Sequence, residues 1–138
     1  MGGDNHWQGK LAPSLADIEA LAARAWQGLP AAFRDMCGDV VIRVEDFATD
    51  EVLAALKLHS PFDLMGLYHG VSLDRRSVLD LPRGPDMIFL YRRALLDYWV
   101  EHEEALDRLV SHVLIHEIGH HFGLSDADMA HIEAEADA

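Results

Sequence analysis

The residues best suited to chemistry lie close together near the C-terminal end, in the run His116-Glu117-Ile118-Gly119-His120-His121-Phe122-Gly123-Leu124-Ser125-Asp126. His116 and His120 are four residues apart. On a helix that spacing stands one side chain a turn above the other on the same face. Two imidazoles so placed can share one zinc ion. Glu117 falls roughly 100° round from His116 on a helix of about 3.6 residues per turn. It borders the ligand face without competing for the metal, the place for a base that acts on activated water.

A catalytic zinc site takes three protein ligands and keeps a fourth position open. Gly123 lets the chain leave the helix through a conformation other residues avoid. Three residues later, Asp126 can fold back as a carboxylate ligand; its ordinary alternative is a helix N-cap. Asp128, His131 and Glu133 are rival third ligands with no supporting spacing. His112, one turn before His116, could reach the site, with a plain helix surface as its default. His121 shares an arc with Val110 and Leu114, which suggests a core or supporting role with its nitrogens hydrogen-bonded. Tyr68, His69, Tyr91 and Tyr98 have the chemistry to stabilise an oxyanion, weighed against simple packing. Arg92 and Arg93 are candidates for a substrate groove, with solvation as the default. Cys37 reads as a buried small hydrophobe.

The elements that position these residues follow from periodicity and caps. Ser14 is a good N-cap for a helix with Leu15, Ile18, Leu21, Ala22 and Ala25 on one face, stopped by Gly28 and Pro30. A short helix or turn follows over Ala31 to Met36. The β-branched run Val40 to Val44 predicts a strand. Thr49 to Leu58 predicts a helix capped by Thr49, and Ser60, Pro61 and Asp63 mark a turn. Gly66 to Leu73 and Met87 to Tyr91 predict two more strands, the latter apolar on both faces and so well buried. Leu81 to Pro85 reads as a loop. A long helix is expected from about Glu101 to His121, ended by Gly123, then a last helix to about Glu135 capped by Ser125 or Asp126. The expected fold class is α+β: a small mixed sheet of about three to four strands packed on the long helix that carries the motif. Residues 1–12 read as a flexible N-terminal tail and residues 13–138 as one domain.

Composition bounds the function. Eleven Lys and Arg stand against 24 Asp and Glu, for a formal net charge of -13. A surface this acidic repels nucleic-acid phosphates and anionic lipid. The single cysteine excludes an internal disulfide. The polar N-terminus does not resemble a signal peptide, and no run is long enough to span a bilayer. The cytoplasm is the expected location, with neither nucleic acid nor membrane as a partner.

The run HExxHxxGxxD is similar to the extended motif of the metzincin-type zinc peptidases, in the variant with Asp as third ligand. The chain more specifically resembles the small prokaryotic minimal zincin family. The matching pieces are Val40 to Glu45, Gly66-Leu67-Tyr68 with a following Arg75, Ile88 to Arg92, and HEIGHHFGLSD. They span most of the chain from about Pro13 to Met129. The resemblance implies a zincin-like α+β core, zinc as cofactor held by His116, His120 and Asp126, and Glu117 as catalytic base. It implies a zinc metallopeptidase acting on a peptide or protein substrate. The methionine turn that metzincins carry beneath the metal has no evident counterpart; Met129 is close after Asp126 but falls on the last expected helix. The alternatives are a zinc-binding, non-enzymatic module that recognises a partner or peptide, and a metal-free helical scaffold.

Overall fold

A computed structural model describes residues 6–70 and 85–136. Helix α1 spans Leu15–Gly28 and opens on a reciprocal capping box. The Ser14 hydroxyl accepts the Asp17 N–H at 3.1 Å, while the Asp17 carboxylate accepts the Ser14 N–H at 2.8 Å. Ile18 and Ala22 are buried, with Leu21 and Ala25 packed beside them; Leu15 lies at the margin of that face, 38% exposed. Helix α2 spans Ala31–Cys37 and buries Phe33 and Cys37. Strand β1 spans Val41–Glu45, one residue later than expected.

Helix α3 spans Asp50–Ala55 behind its Thr49 cap. It stops short of the expected Leu58 because Lys57 turns to a left-handed φ of 60°. A 3-10 turn follows over Pro61–Asp63, its first N–H groups served by Ser60. Strand β2 spans Gly66–His69. Residues 71–73, which the sequence reading joins to it, lie outside the described residues, as do Arg75 and residues 81–84 of the expected loop. Strand β3 spans Met87–Tyr91, as expected.

The clearest correction concerns the stretch before the motif. The helix expected from about Glu101 begins at Leu106, as α5 (Leu106–His121), and a separate helix that the sequence reading did not place, α4 (Arg92–His102), precedes it. Between them Glu103 takes a left-handed φ of 44°. Neither side of the break carries a composition signal: no Gly or Pro marks it, and the N-cap of α5 is Ala105, which offers no side-chain bond. Ala94 and Leu95, buried on α4 with Tyr98 and Trp99 packed on the core, formed a readable stripe for that first helix. Helix α6 spans Asp126–Ala136.

The three strands form one sheet in the order β1-β3-β2. β1 runs parallel to β3, with Val44 opposite Leu90, and β2 runs antiparallel to it, with Tyr68 opposite Ile88. The central position of β3 explains why its residues are apolar on both faces. Ile88 and Leu90 enter the main core with Ile18, Val110, Leu114 and Ile118, so α1 and α5 cover one face. Tyr91 enters a smaller core with Ala48, Leu53 and Ala94 on the other side. Arg92 ties the margin of this layer together, donating to the Pro13 carbonyl and to Asp46 at 3.0 Å, while Arg93 lies over the Phe47 ring. Both arginines therefore have structural contacts in place of a purely solvated role. Among the described residues no helix is long and apolar enough to cross a membrane.

Cys37 is 4% exposed and its thiol lies 3.8 Å from the Phe33 carbonyl. Burial pushes the thiol up to about 11. It should therefore behave as core: at pH 8 a disulfide-exchange reagent should label the native chain at least ~100-fold more slowly than the denatured chain. Equal rates in the two states would show that the thiol is accessible in the folded protein.

Candidate metal centre

Helix α5 carries the chemistry because one side of it is core. Leu109, Val110, Val113, Leu114, Ile115 and Ile118 are buried, which turns His112, His116 and His120 toward the remaining arc. The rings of His116 and His120 meet edge to face with centroids 5.7 Å apart, so the predicted pair does share a face. His112 continues the row, its ring 4.0 Å from that of His116. Burial and the neighbouring His112 hold His116 below the ordinary imidazole value, against the opposing pull of Glu133 and Asp126. The neutral imidazole favoured by this balance is the ligand form.

Glu117 lies between α5 and the edge strand β2. Burial raises its carboxyl above the usual range, offset by the nearby His120 and by a hydrogen bond from the backbone N–H of Tyr68. β2 reaches the helix this closely because residue 66 is glycine. A Cβ there would stand 2.8 Å from Val113 Cγ1 and 3.3 Å from Glu117 Cγ. No periodicity argument singles out Gly66; its need appears only when strand and helix are in place.

Gly123 has φ 75° and ends α5, as its type suggested. The N-cap of α6 is then Ser125, whose hydroxyl accepts the Asp128 N–H at 3.1 Å while Asp128 accepts the Ser125 N–H at 3.2 Å. Asp126 is the first helical residue, so capping falls to its neighbour, and its charge is felt at His116. Met129 is fully buried, and a Cβ on Gly119 would stand 2.3 Å from its sulfur. A methionine thus packs directly under the motif, from a helix.

Among the described residues, one group of His, Cys, Asp or Glu side chains brings all its donor atoms within 4.8 Å of one another: His112, His116 and Glu133. His116 belongs to it, whereas His120 and Asp126 stand outside it. The donor chemistry of His116, His120 and Asp126, two imidazoles and a carboxylate on adjoining helix segments, nonetheless fits zinc. Asp128 is committed to the Ser125 cap, and His131 lies 2.8 Å from Glu135 on its own helix.

The oxyanion candidates separate. The Tyr68 hydroxyl donates to Asp86 at 2.8 Å, and its ring stacks on His121 with centroids 3.9 Å apart. His121 therefore packs beside the site, as expected. Tyr98 stacks on His102, on α4. Tyr91 is buried and its hydroxyl is pushed up to about 12, by burial first and then by Glu45 and Glu117. His69 ends β2 and is exposed. Asp86, buried against Tyr68, gave no sequence signal.

Residues 37–136 match the family model described as zincin-like metallopeptidase. No curated protein sequence gives a significant match to the chain.

The contact of Gly119 with Met129 sets how α6 rides on α5. Gly119→Ala should lower stability by about 1–3 kcal/mol through overpacking. The same substitution made together with Met129→Ala should cost less than the two separate changes added, since the truncation makes room for the new methyl. Denaturant midpoints of the four chains measure this; strict additivity would mean that the two residues do not press on each other.

Proposed function

Since the chain belongs to the zincin-like metallopeptidase family, we propose that it hydrolyses peptide bonds with a zinc ion held by His116, His120 and Asp126 and with Glu117 as the general base. The observation that carries this reading is the setting of Glu117: a half-buried carboxylate next to His120, steadied by the Tyr68 backbone N–H and raised by burial. A carboxylate shifted upward accepts a proton more readily near neutral pH. Held by these residues, zinc would supply Lewis-acid polarisation of the scissile carbonyl and of water. Glu117 takes a proton from the attacking water on a carboxylate oxygen and delivers it to the leaving nitrogen, so the amine departs neutral.

Substrate alignment falls to β2. Among the described residues it pairs only with β3, and the Tyr68 N–H that reaches Glu117 points away from β3, so the far side of β2 faces the base. An extended peptide added there would present its backbone to Glu117 by strand pairing. The partner is accordingly a peptide or protein segment, and the acidic surface favours neither nucleic acid nor membrane.

A non-enzymatic zinc module is the other reading. Glu133, 3.9 Å from His116 Nε2, is a side chain able to close the coordination. The peptidase reading is preferred because a closed structural site has no use for a carboxylate positioned like Glu117.

Glu117→Gln separates the two. It should leave bound zinc unchanged and lower turnover of a cleavable peptide by on the order of 10²-fold or more. Metal content by elemental mass spectrometry, with cleavage of a peptide library, provides both readouts. Undiminished cleavage by the variant would remove Glu117 from the mechanism.

A further inference from the structure

The row of histidines on α5 holds two overlapping pairs of the same spacing, His112 with His116 and His116 with His120. Helix α6 sets Glu133 beside the first pair, and the charge of Asp126 at its start bears on His116 of the second. Met129 packs on Gly119, Asp126 acts on His116, and Glu133 reaches back to His112, so the two helices run antiparallel along this contact. Asp126 and Glu133 are seven residues apart and hence on one face of α6. The result is two sets of two imidazoles and one carboxylate, displaced by one turn or about 6 Å along α5, with His116 common to both.

We propose that His112, His116 and Glu133 form a second position for a divalent first-row cation, and that it excludes occupation of the first because both use His116. The nitrogens facing Glu133 Oε1 are Nδ1 of His112, within hydrogen-bond reach, and Nε2 of His116, at 3.9 Å. All three donor atoms lie within 4.8 Å of one another. Donors around a tetrahedral zinc with bonds of about 2.0–2.1 Å sit roughly 3.3 Å apart, so small side-chain adjustments complete the set. The side chains of His112 and Glu133 are 47% and 28% exposed, which leaves the ion a route in. They also border a cavity of about 210 Å³ lined by Glu104, Arg108 and Ser111, with room for a solvent ligand. Such N and O donors accept zinc and its first-row neighbours alike. An ion in this outer position withholds His116 from the inner one, so outer loading is a latent state of the protein. The exclusivity rests on the proposed inner set of His116, His120 and Asp126; the outer set stands on its own donors.

The test is titration of the metal-stripped full chain with Co²⁺, followed by its absorption bands, with Zn²⁺ stoichiometry by native mass spectrometry. The wild-type chain should take one ion. The double variant His120→Ala, Asp126→Ala should still take one, with lower affinity and an altered Co²⁺ spectrum, and a further His112→Ala or Glu133→Gln should abolish it. All four side chains lie at the surface or are half-buried, and circular dichroism verifies that each variant folds. A double variant that binds nothing, beside a wild-type chain that does, overturns the outer position and leaves the peptidase reading intact. Two ions on one wild-type chain overturn the exclusivity. Metal lost in His112→Ala and Glu133→Gln but retained in His120→Ala and Asp126→Ala supports the outer position and removes the inner one.

Discussion

The contact between Gly119 and Met129 governs how α6 lies on α5. Met129 is fully buried against the one residue of the motif helix that has no side chain. That contact sets the register of α6, and the register decides which carboxylate stands opposite which histidine. The charge of Asp126 bears on His116 from one end, and Glu133 meets His112 at the other. A bulkier residue at 119 would lift α6 and move both carboxylates together, because interiors are packed too tightly to absorb a methyl without displacement.

The second close approach, at Gly66, works on the opposite flank of the same helix. It lets an edge strand come near enough for a backbone N–H to hold Glu117. α5 is thus gripped from two sides at its two glycine contacts, while its buried face rests on α1 and the sheet. Side chains held this way need little rearrangement before they act, which is the condition for efficient acid–base and metal chemistry. The proposed base and the two proposed histidine ligands share one rigid element, α5, and the proposed carboxylate ligand comes from the helix packed on it.

Sharing an element also creates competition. A row of histidines at four-residue intervals offers overlapping pairs, and a helix packed alongside offers more than one carboxylate. Choice among them is then made by side-chain rotation and by the carboxylate nearest each pair, not by the helix itself. Local sequence rules identify the pairs but do not rank them.

What the sequence by itself determined is whatever depends on neighbours along the chain. The N-cap at Ser14, the buried strand Met87 to Tyr91, the placement of His116 and His120 on one face, and the left-handed exit at Gly123 are all local and were legible. The expectation of a mixed sheet under a motif helix was likewise readable, since alternation and 3.6-residue periodicity report burial directly. Tertiary structure decided the rest. The break at Glu103 has no Gly or Pro to announce it and shows only in the left-handed backbone between α4 and α5. The requirement for Gly66, the pairing of Tyr68 with Asp86, and the approach of Glu133 to His112 and His116 join residues far apart in the chain. Such contacts are set by the register between elements, which no local pattern encodes, and so only the packed structure reveals them.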